Sequence, residues 1–247
     1  MALANVHHLC RIGQWAEQAV AKGLVSLHFV NVISRSIVAP FGGTDARFGT
    51  NPVTIGIPLA GQAPFILDMA TSNVAQGKIR VAHNKGETLA PGLLLDDQGQ
   101  PTTDPRFGVI PPYGALTTFG AHKGYGLAVV AELLGGALTG GGTCHTDDRS
   151  KMRVLNGMLT ILIDPEKLGT APVFVQEAAA FVDWVKRSPP AEGVERVRIA
   201  GDPERETRAR REREGIPVDA TTWREVGDAA ETLGKSRTEI DALARGG

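Results

Sequence analysis

The chain has 247 residues, of which 42% are hydrophobic and 21% are charged, and its formal net charge is -1. This composition excludes intrinsic disorder, and the balanced charge argues against nucleic-acid binding through a broadly basic surface. No run of about 18 apolar residues indicates a membrane span, and the first residues do not resemble a signal peptide. With two cysteines, Cys10 and Cys144, we expect a cytoplasmic protein without a disulfide framework.

The predicted elements begin close to the first residue. Trp15, Ala16, Ala19 and Val20 share one helical face, and Gly23 lies where a left-handed glycine would end that helix. Strands are predicted over residues 24–32, 53–57 and 65–67, followed by a helix over 74–83. The first of these strands is almost wholly apolar, which is typical of a strand buried on both faces.

The second half of the chain is predicted to be mostly helical. Residues 86–113 form a long loop, which in a compact domain indicates a functional segment. The pattern predicts a buried helix over 124–138, a strand over 156–163, and an amphipathic helix over 178–187 with Phe181, Trp184 and Val185 facing inward. Residues 204–214 alternate arginine and glutamate as a solvated helix does, and 228–244 predict a short surface helix.

The common nucleotide-binding motifs are absent. The segment that starts at Gly124 begins like the Rossmann fingerprint, but Val129 stands where the last glycine belongs. The segment around Lys235 ends like a phosphate-binding loop, but Ala229 stands where its first glycine belongs. A nucleotide, if bound, must therefore be held by another type of site.

Two small clusters contain potential metal ligands or nucleophiles. His7, His8 and Cys10 form the first cluster, and Cys144 with His145 forms the second. Neighbouring histidines cannot easily direct both rings at one ion, and the spacing of a zinc site is missing, so no metal is expected. Nothing nearby would activate Cys10 as a nucleophile, and the two histidines are equally compatible with a solvated terminus.

Asp68 and Lys123 each allow two interpretations. Asp68 follows an apolar strand and precedes Thr71 and Ser72, which are residues that often begin helices. Such a junction can bind a phosphate or a ribose through backbone N–H groups, or Asp68 can simply cap a helix. Lys123, at the start of an apolar helix, can contact an anion or point into solvent.

Six segments occur in an order that resembles a known family. They are GTNP at 49–52, DMATS at 68–72, GK at 77–78, PTTDP at 101–105, HKGYGLA at 122–128 and GDPE at 201–204. Together they resemble the malate/L-lactate dehydrogenase family of NAD(P)-dependent 2-hydroxyacid dehydrogenases, over essentially the whole chain. Within it, the segments HHLCRIGQWAEQ and HFVNV are most similar to the hydroxycarboxylate dehydrogenases.

The resemblance implies a fold and a domain organisation. The expected fold is α/β, a non-Rossmann NAD(P)-binding fold with a mixed sheet and flanking helices, in a homodimer whose active site lies near the subunit interface. We expect one dehydrogenase region over residues 1–247, with a cofactor-binding core over 24–165 and a C-terminal helical segment over 166–247. Family members carry a helical region before the point where this sequence begins, so the chain resembles an N-terminally shortened member.

The resemblance also implies roles for individual residues. His8 matches the histidine that accepts or donates a proton at the substrate oxygen, a task that suits imidazole near neutral pH. The implied cofactor is NAD or NADP, with NAD favoured, and the implied substrate is a small 2-hydroxy or 2-oxo acid. The residues that match cofactor contacts are Ile12, Gly13, Gln14, Asp68, Met69, Ala70, Thr71, Ser72, Lys123, Gly124, Asn156, Gly201, Asp202, Pro203 and Glu204.

Two departures from the family leave an alternative open. Cys10 stands where the family has glycine, which predicts a changed turn at His8. The N-terminal region of the family, which includes part of the substrate pocket, has no counterpart in this sequence. The alternative hypothesis is therefore a catalytically impaired, dinucleotide-binding remnant or fragment that binds the cofactor without turnover.

Overall fold

The computed structural model describes residues 1–145 and 153–244. A five-stranded sheet in the order β1-β8-β2-β3-β4 forms the centre, and a three-stranded sheet in the order β6-β5-β7 lies apart from it. The strands are β1 (Ala2–Val6), β2 (Val25–Ile33), β3 (Val53–Ile57), β4 (Phe65–Met69), β5 (Leu94–Leu95), β6 (Pro101–Thr102), β7 (Ala115–Leu116) and β8 (Leu155–Ile163).

Helices flank the central sheet and make up the end of the chain. They are α1 (Gly13–Val20), α2 (Gln76–Lys85), α3 (Arg106–Val109), α4 (His122–Ala131), the π-helical segment Glu132–Ala137, α5 (Ala171–Lys186), α6 (Asp202–Glu214), α7 (Ala220–Thr232) and α8 (Arg237–Ala244). The α/β fold class is therefore confirmed. The strands of both sheets pair antiparallel, and among the described residues a single parallel bridge, between Val38 and Leu116, makes the pairing mixed.

The two longest strands, β2 and β8, pair along their full length at the middle of the sheet, from Val25 opposite Ile163 to Ile33 opposite Leu155. Their content of β-branched residues favours this pairing. The predictions for β2, β3 and β8 agree with the structure to within one residue, and β4 extends two residues further than predicted. Polar side chains are also buried on β2, as shown by Ser26, His28 and Asn31.

Helix α1 covers one face of the sheet, where it packs against β2 and β3. Ala16 and Ala19 are buried there, and the turn after the helix contains Gly23 with φ +74, as predicted. Gly56 on β3 makes close packing possible, since a Cβ atom at this position would lie 3.0 Å from the Ala16 Cβ. This packing puts the start of α1 directly over the polar residues of the sheet.

The predicted helix over 124–138 begins two residues earlier and changes its winding partway. It is α-helical over α4 and then π-helical from Glu132 onward. Leu133 and Leu138 are exposed, so the segment is less buried than its apolar sequence suggests. The segment predicted as a loop over 86–113 contains β5, β6 and α3, which are too short to show a periodic pattern.

The prediction for the helix over 178–187 was wrong about which face is buried. In α5, Phe181 and Trp184 are 63% and 66% exposed and stack on each other, while Val182 is buried against Leu59. Val185 also contacts this apolar cluster, as predicted. The segment is apolar on more than one side, so periodicity alone cannot identify the face that meets the sheet.

The C-terminal predictions agree with the structure in part. Helix α6 has no buried residue, as expected for a solvated helix. The single helix predicted over 228–244 is two helices, α7 and α8, separated at Gly234, which has φ +77. No helix in the described part of the chain is long and apolar enough to cross a membrane. Residues 146–152 of the expected core and 245–247 of the expected helical segment lie outside the described residues.

Candidate active site

His8 is exposed in the loop of residues 7–12 that joins β1 to α1; we call it the His8 loop. The Cys10 N–H donates a hydrogen bond to His8 Nδ1 at 3.1 Å. Cys10 has φ +60, a left-handed conformation that favours glycine. A glycine would thus fit the turn better than the cysteine does, and the turn brings the backbone of Cys10 against the imidazole.

Asn156 on β8 anchors the first half of the His8 loop. Its Oδ1 accepts the Leu9 N–H at 2.8 Å, and its Nδ2 donates to the carbonyls of Asn31 at 3.0 Å and Leu155 at 3.2 Å. The Asn156 side chain is buried, with 3% of the residue exposed. Leu9 also packs against the apolar cluster that contains Met158. The loop is therefore fixed to the sheet by both polar and apolar contacts.

Asp68 on β4 anchors the other end of the loop. Its Oδ2 accepts the Gly13 N–H at 2.8 Å and lies 4.0 Å from Arg11 Nη1, and its Oδ1 accepts from Thr54 Oγ1 at 2.9 Å. The start of α1 has no capping bond from its own Ile12, so the carboxylate of a distant strand takes that role. A Cβ atom on Gly13 would lie 2.7 Å from Asp68 Oδ2, so the approach requires glycine.

The structure corrects one interpretation of Asp68 and its neighbours. Asp68 does cap a helix, but the helix is α1 rather than the one that follows it in the chain. Helix α2 begins after Ala75, so Thr71 and Ser72 do not cap it. The sequence pattern missed this because the cap comes from a residue 55 positions away from Gly13.

The residues that follow Asp68, 69–72, lie between the end of β4 and the start of α4. Thr71 Oγ1 donates to the carbonyls of Thr50 and Asn51 at 2.9 and 3.0 Å, while the Ser72 hydroxyl donates to Val74 O at 2.8 Å. Both hydroxyls are thus engaged within the protein. Met69 and Ala70 are half-buried between Asp68 and Thr71.

Phe119 connects the start of α4 to Thr71 in this segment. The Phe119 N–H donates to Thr71 O at 3.2 Å, and the Gly124 N–H donates to Phe119 O at 2.9 Å. A Cβ atom on Gly124 would lie 2.8 Å from the Phe119 ring, so glycine is needed here too. Lys123 is exposed, and Ala121, two residues before it, helps to line a cavity of about 310 Å³ together with Asn73 and Thr118.

The segment from Gly201 to Glu204 begins α6 and lies beside the start of β4, where the Ile66 N–H donates to Ala200 O at 3.1 Å. Asp202 accepts from the Ile199 N–H at 3.1 Å and from Arg205, and it pairs with Lys186 at 3.3 Å. Burial raises the pKa of Asp202, but these hydrogen bonds and the Lys186 charge together lower it.

A cavity of about 680 Å³ opens between the His8 loop and α6. Arg11 of the His8 loop and Glu204 of α6 both line it, so the cavity contains the predicted cofactor residue Glu204 and a neighbour of the predicted residue Ile12. Glu17 on α1 links the same elements, because it pairs with Arg11 at 2.6 Å and with Arg208 at 3.4 Å. The full lining is Arg11, Pro203, Glu204, Thr207, Arg208, Arg211, Glu212 and Ile216.

The structure thus joins Gly13 directly to Asp68 by a hydrogen bond. It places His8 beside them through its neighbours, because Leu9 bonds to Asn156 and Cys10 bonds to the His8 ring. Other predicted residues take less direct parts. Ile12 is 4% exposed and packs in the core, so only its backbone can face a ligand, whereas Gln14 is exposed. Among residues 1–145 and 153–244, no group of three His, Cys, Asp or Glu side chains is arranged to bind a metal ion.

Sequence reasoning missed several residues that support the site. His28 is 2% exposed beneath α1, and its Nδ1 lies 2.9 Å from Thr160 Oγ1. Within the described ranges, its Nε2 has no hydrogen-bond partner. Burial lowers the pKa of His28, and the negative charge of Asp68 opposes this shift. Thr54 and Asn31 were also missed. A polar residue at a buried position of an apolar strand is the only sequence signal that could have indicated them.

Three comparisons show which proteins this chain resembles. Residues 1–227 match the malate/L-lactate dehydrogenase family. The chain is 45% identical to hydroxycarboxylate dehydrogenase B of Escherichia coli strain K12, over 99% of this chain and 68% of that protein. It is 40% identical to an L-lactate dehydrogenase of Cupriavidus necator, over 94% of this chain and 67% of that protein. The structure of sulfolactate dehydrogenase from Methanocaldococcus jannaschii matches with a TM-score of 0.77 at 29% identity, over 96% and 67% of the two chains.

Proposed function

Since the chain belongs to the malate/L-lactate dehydrogenase family, we propose that it is an NAD(P)-dependent oxidoreductase. The proposed reaction interconverts small 2-hydroxy acids and 2-oxo acids, with His8 as proton acceptor and donor. The observation that carries the proposal is the His8 loop itself. An exposed imidazole is held on a loop that the buried Asn156 and the partly buried Asp68 fix to separate strands.

The residues around the His8 loop fit a dinucleotide. Arg11, Arg208 and Arg211 line the large cavity and provide positive charge for phosphate groups. Glu204 lines the same cavity, and a carboxylate suits the hydroxyls of an unmodified ribose, which favours NAD over NADP. When bound, the nicotinamide ring supplies the hydride-transfer chemistry. We propose Ser72, Lys123 and the other predicted cofactor residues, apart from Asp68 and Asn156, as further contacts.

His8 would handle the proton that moves at the substrate oxygen. Its Nδ1 accepts the Cys10 N–H, so the neutral ring carries its proton on Nε2 and can donate a hydrogen bond to a carbonyl oxygen. Complete proton transfer at Nε2, in either direction, passes through a ring that is protonated on Nδ1. The Cys10 N–H must therefore release Nδ1 during turnover.

The experiment that tests the function follows NADH oxidation by the purified chain with phenylpyruvate, 2-oxoglutarate, oxaloacetate, pyruvate and glyoxylate. NADPH is compared at the same concentrations, and we expect the lower KM for NADH. His8→Ala should lower kcat by about 100-fold or more, because general acid–base catalysis contributes a factor of that size to the rate. His7→Ala is the matched control, since His7 is an exposed neighbour in the same loop.

Each outcome has a distinct meaning. The proposed dehydrogenase activity is supported if the wild-type chain and His7→Ala turn over one of the acids and His8→Ala does not. NADH binding without turnover of any of the five acids would contradict the proposed dehydrogenase activity and favour the hypothesis of a dinucleotide-binding remnant. Neither binding nor turnover would contradict both hypotheses. We also propose that the protein is a homodimer, and sedimentation of the same sample tests this.

A further inference from the structure

Asp68 and Asn156 match cofactor contacts, yet their polar atoms are already engaged within the protein. Asn156 uses its Oδ1 for the Leu9 N–H and both hydrogens of its Nδ2 for carbonyl groups. Asp68 uses one oxygen for the Gly13 N–H and the other for the Thr54 hydroxyl. These contacts fix the two ends of the His8 loop.

We propose that Asp68 and Asn156 are positioning residues that hold the His8 loop, rather than ligands of the cofactor. For the effect on catalysis, this inference rests on the proposed function. The mechanical part of the inference does not, because it concerns how firmly Leu9 and Gly13 are bound to the sheet.

The case for Asn156 rests on its donors and acceptors. An asparagine side chain has two N–H donors, and both donors of Asn156 are used. With 3% of the residue exposed, its remaining acceptor capacity is not open to a ligand. Asn31 supports the same strand, because its Oδ1 accepts the Gly157 N–H at 2.9 Å. Among the described residues, the contact of Asn156 outside the sheet is therefore its hydrogen bond to Leu9, which it holds in place.

The case for Asp68 rests on the row of residues across the sheet. His28, Thr54 and Asp68 lie opposite one another on β2, β3 and β4. Thr54 is fully buried, and its hydroxyl donates to Asp68 Oδ1 at 2.9 Å, which orients the carboxylate toward the Gly13 N–H. Thr54 is too buried to contact a ligand, and its hydroxyl reaches the site through Asp68.

This relation makes Thr54 the decisive residue for the test. Thr54→Val keeps the shape of the side chain but removes the hydroxyl, whereas Thr54→Ser keeps the hydroxyl. If Asp68 positions the loop, Thr54→Val should lower kcat about tenfold and leave the NADH dissociation constant unchanged, because small displacements of a catalytic group are costly. Thr54→Ser should restore kcat. If Asp68 is a cofactor ligand, the dissociation constant changes instead.

Amide hydrogen exchange gives a readout that needs no turnover. In the absence of cofactor, Thr54→Val should speed exchange of the Gly13 amide about tenfold, and Asn156→Asp should speed exchange of the Leu9 amide. Asn156→Asp keeps the acceptor for Leu9 but loses the two donors that orient it. Asn73→Ala is the control, since Asn73 is an exposed residue that contacts Thr117 and Gly92 rather than the loop.

The outcomes separate this inference from the proposed function. Faster exchange at Leu9 and Gly13 with unchanged NADH binding supports the positioning role, even if the wild-type chain turns over none of the acids. Wild-type exchange in both variants would overturn it. Weaker NADH binding in Thr54→Val or Asn156→Asp, with exchange unchanged, would overturn it as well and return both residues to the cofactor.

Discussion

The His8 loop and the start of α6 both belong to the predicted cofactor site, but they are held in different ways. The loop depends on hydrogen bonds to residues 147 and 55 positions away in the chain. The start of α6 depends largely on close neighbours, since Asp202 bonds to Ile199 and Arg205, each three residues away. The first arrangement exists only when the sheet is complete, whereas the second can form locally.

The surroundings of the two regions differ as well. The anchors of the loop lie in or at the edge of the sheet, where a missing hydrogen bond costs the full desolvation of the group left behind. Apart from Asp202, whose side chain is 17% exposed, the ion pairs of α6 lie at the surface, where water and salt weaken them. Substitutions near the loop should therefore have large effects, and substitutions on α6 should have small ones.

The largest effect is expected from Asn31→Ala. Asn31 is fully buried, with its Oδ1 accepting the Gly157 N–H and its Nδ2 donating to Gly142 O at 3.1 Å. The substitution leaves both backbone groups unpaired and should lower the free energy of unfolding by about 2–4 kcal/mol. Urea denaturation measures this, with the exposed Asn73→Ala as control. An equal loss of unfolding free energy in Asn31→Ala and Asn73→Ala would contradict the expectation that substitutions near the loop have the larger effect.

A smaller effect is expected from Gly13→Ala. Alanine normally stabilises a helix relative to glycine by about 1 kcal/mol. Here the new Cβ would lie 2.7 Å from Asp68 Oδ2, so the anchor must move, and we expect a loss of about 1–3 kcal/mol. Gly126→Ala on α4 is the matched control, because its Cβ would meet no atom within 4 Å and should stabilise the protein. A gain in stability at both positions would show that the anchor tolerates the methyl group.

Much of the fold could be predicted from the sequence, because β2, β3, β8 and α1 have clear periodicity and turn residues. The orientation of α5 could not, since Phe181 and Trp184 are as apolar as the buried Val182. For the site, the resemblance indicated Asp68 and Asn156, but their partners Gly13 and Leu9 lie far away in the chain. Pairings of this kind are fixed by the register of the sheet, which no local pattern encodes.

The buried His28 in the sheet should make the stability of the protein depend on pH. Burial lowers its pKa, so below about pH 6.5 the unfolded chain binds a proton that the folded chain does not. Stability that is complete above this pH should therefore fall as the pH decreases toward the folded pKa. His28→Asn removes the titrating ring, and urea denaturation between pH 8 and pH 5 should show a shallower slope in the variant. Equal slopes would mean that His28 does not carry the effect.

The smallest effect is expected on α6, from Arg208→Ala. The Arg208 side chain is 57% exposed and pairs with Glu17 at 3.4 Å, so the pair should contribute only about 0–1 kcal/mol to stability. Glu17 keeps Arg11 as a partner after the substitution, and added salt should reduce the remaining difference from wild type. Arg210→Ala on the same helix is the control. A loss as large as that of Asn31→Ala would mean that the α6 contact belongs to the folded core, and the distinction between the two regions would fail.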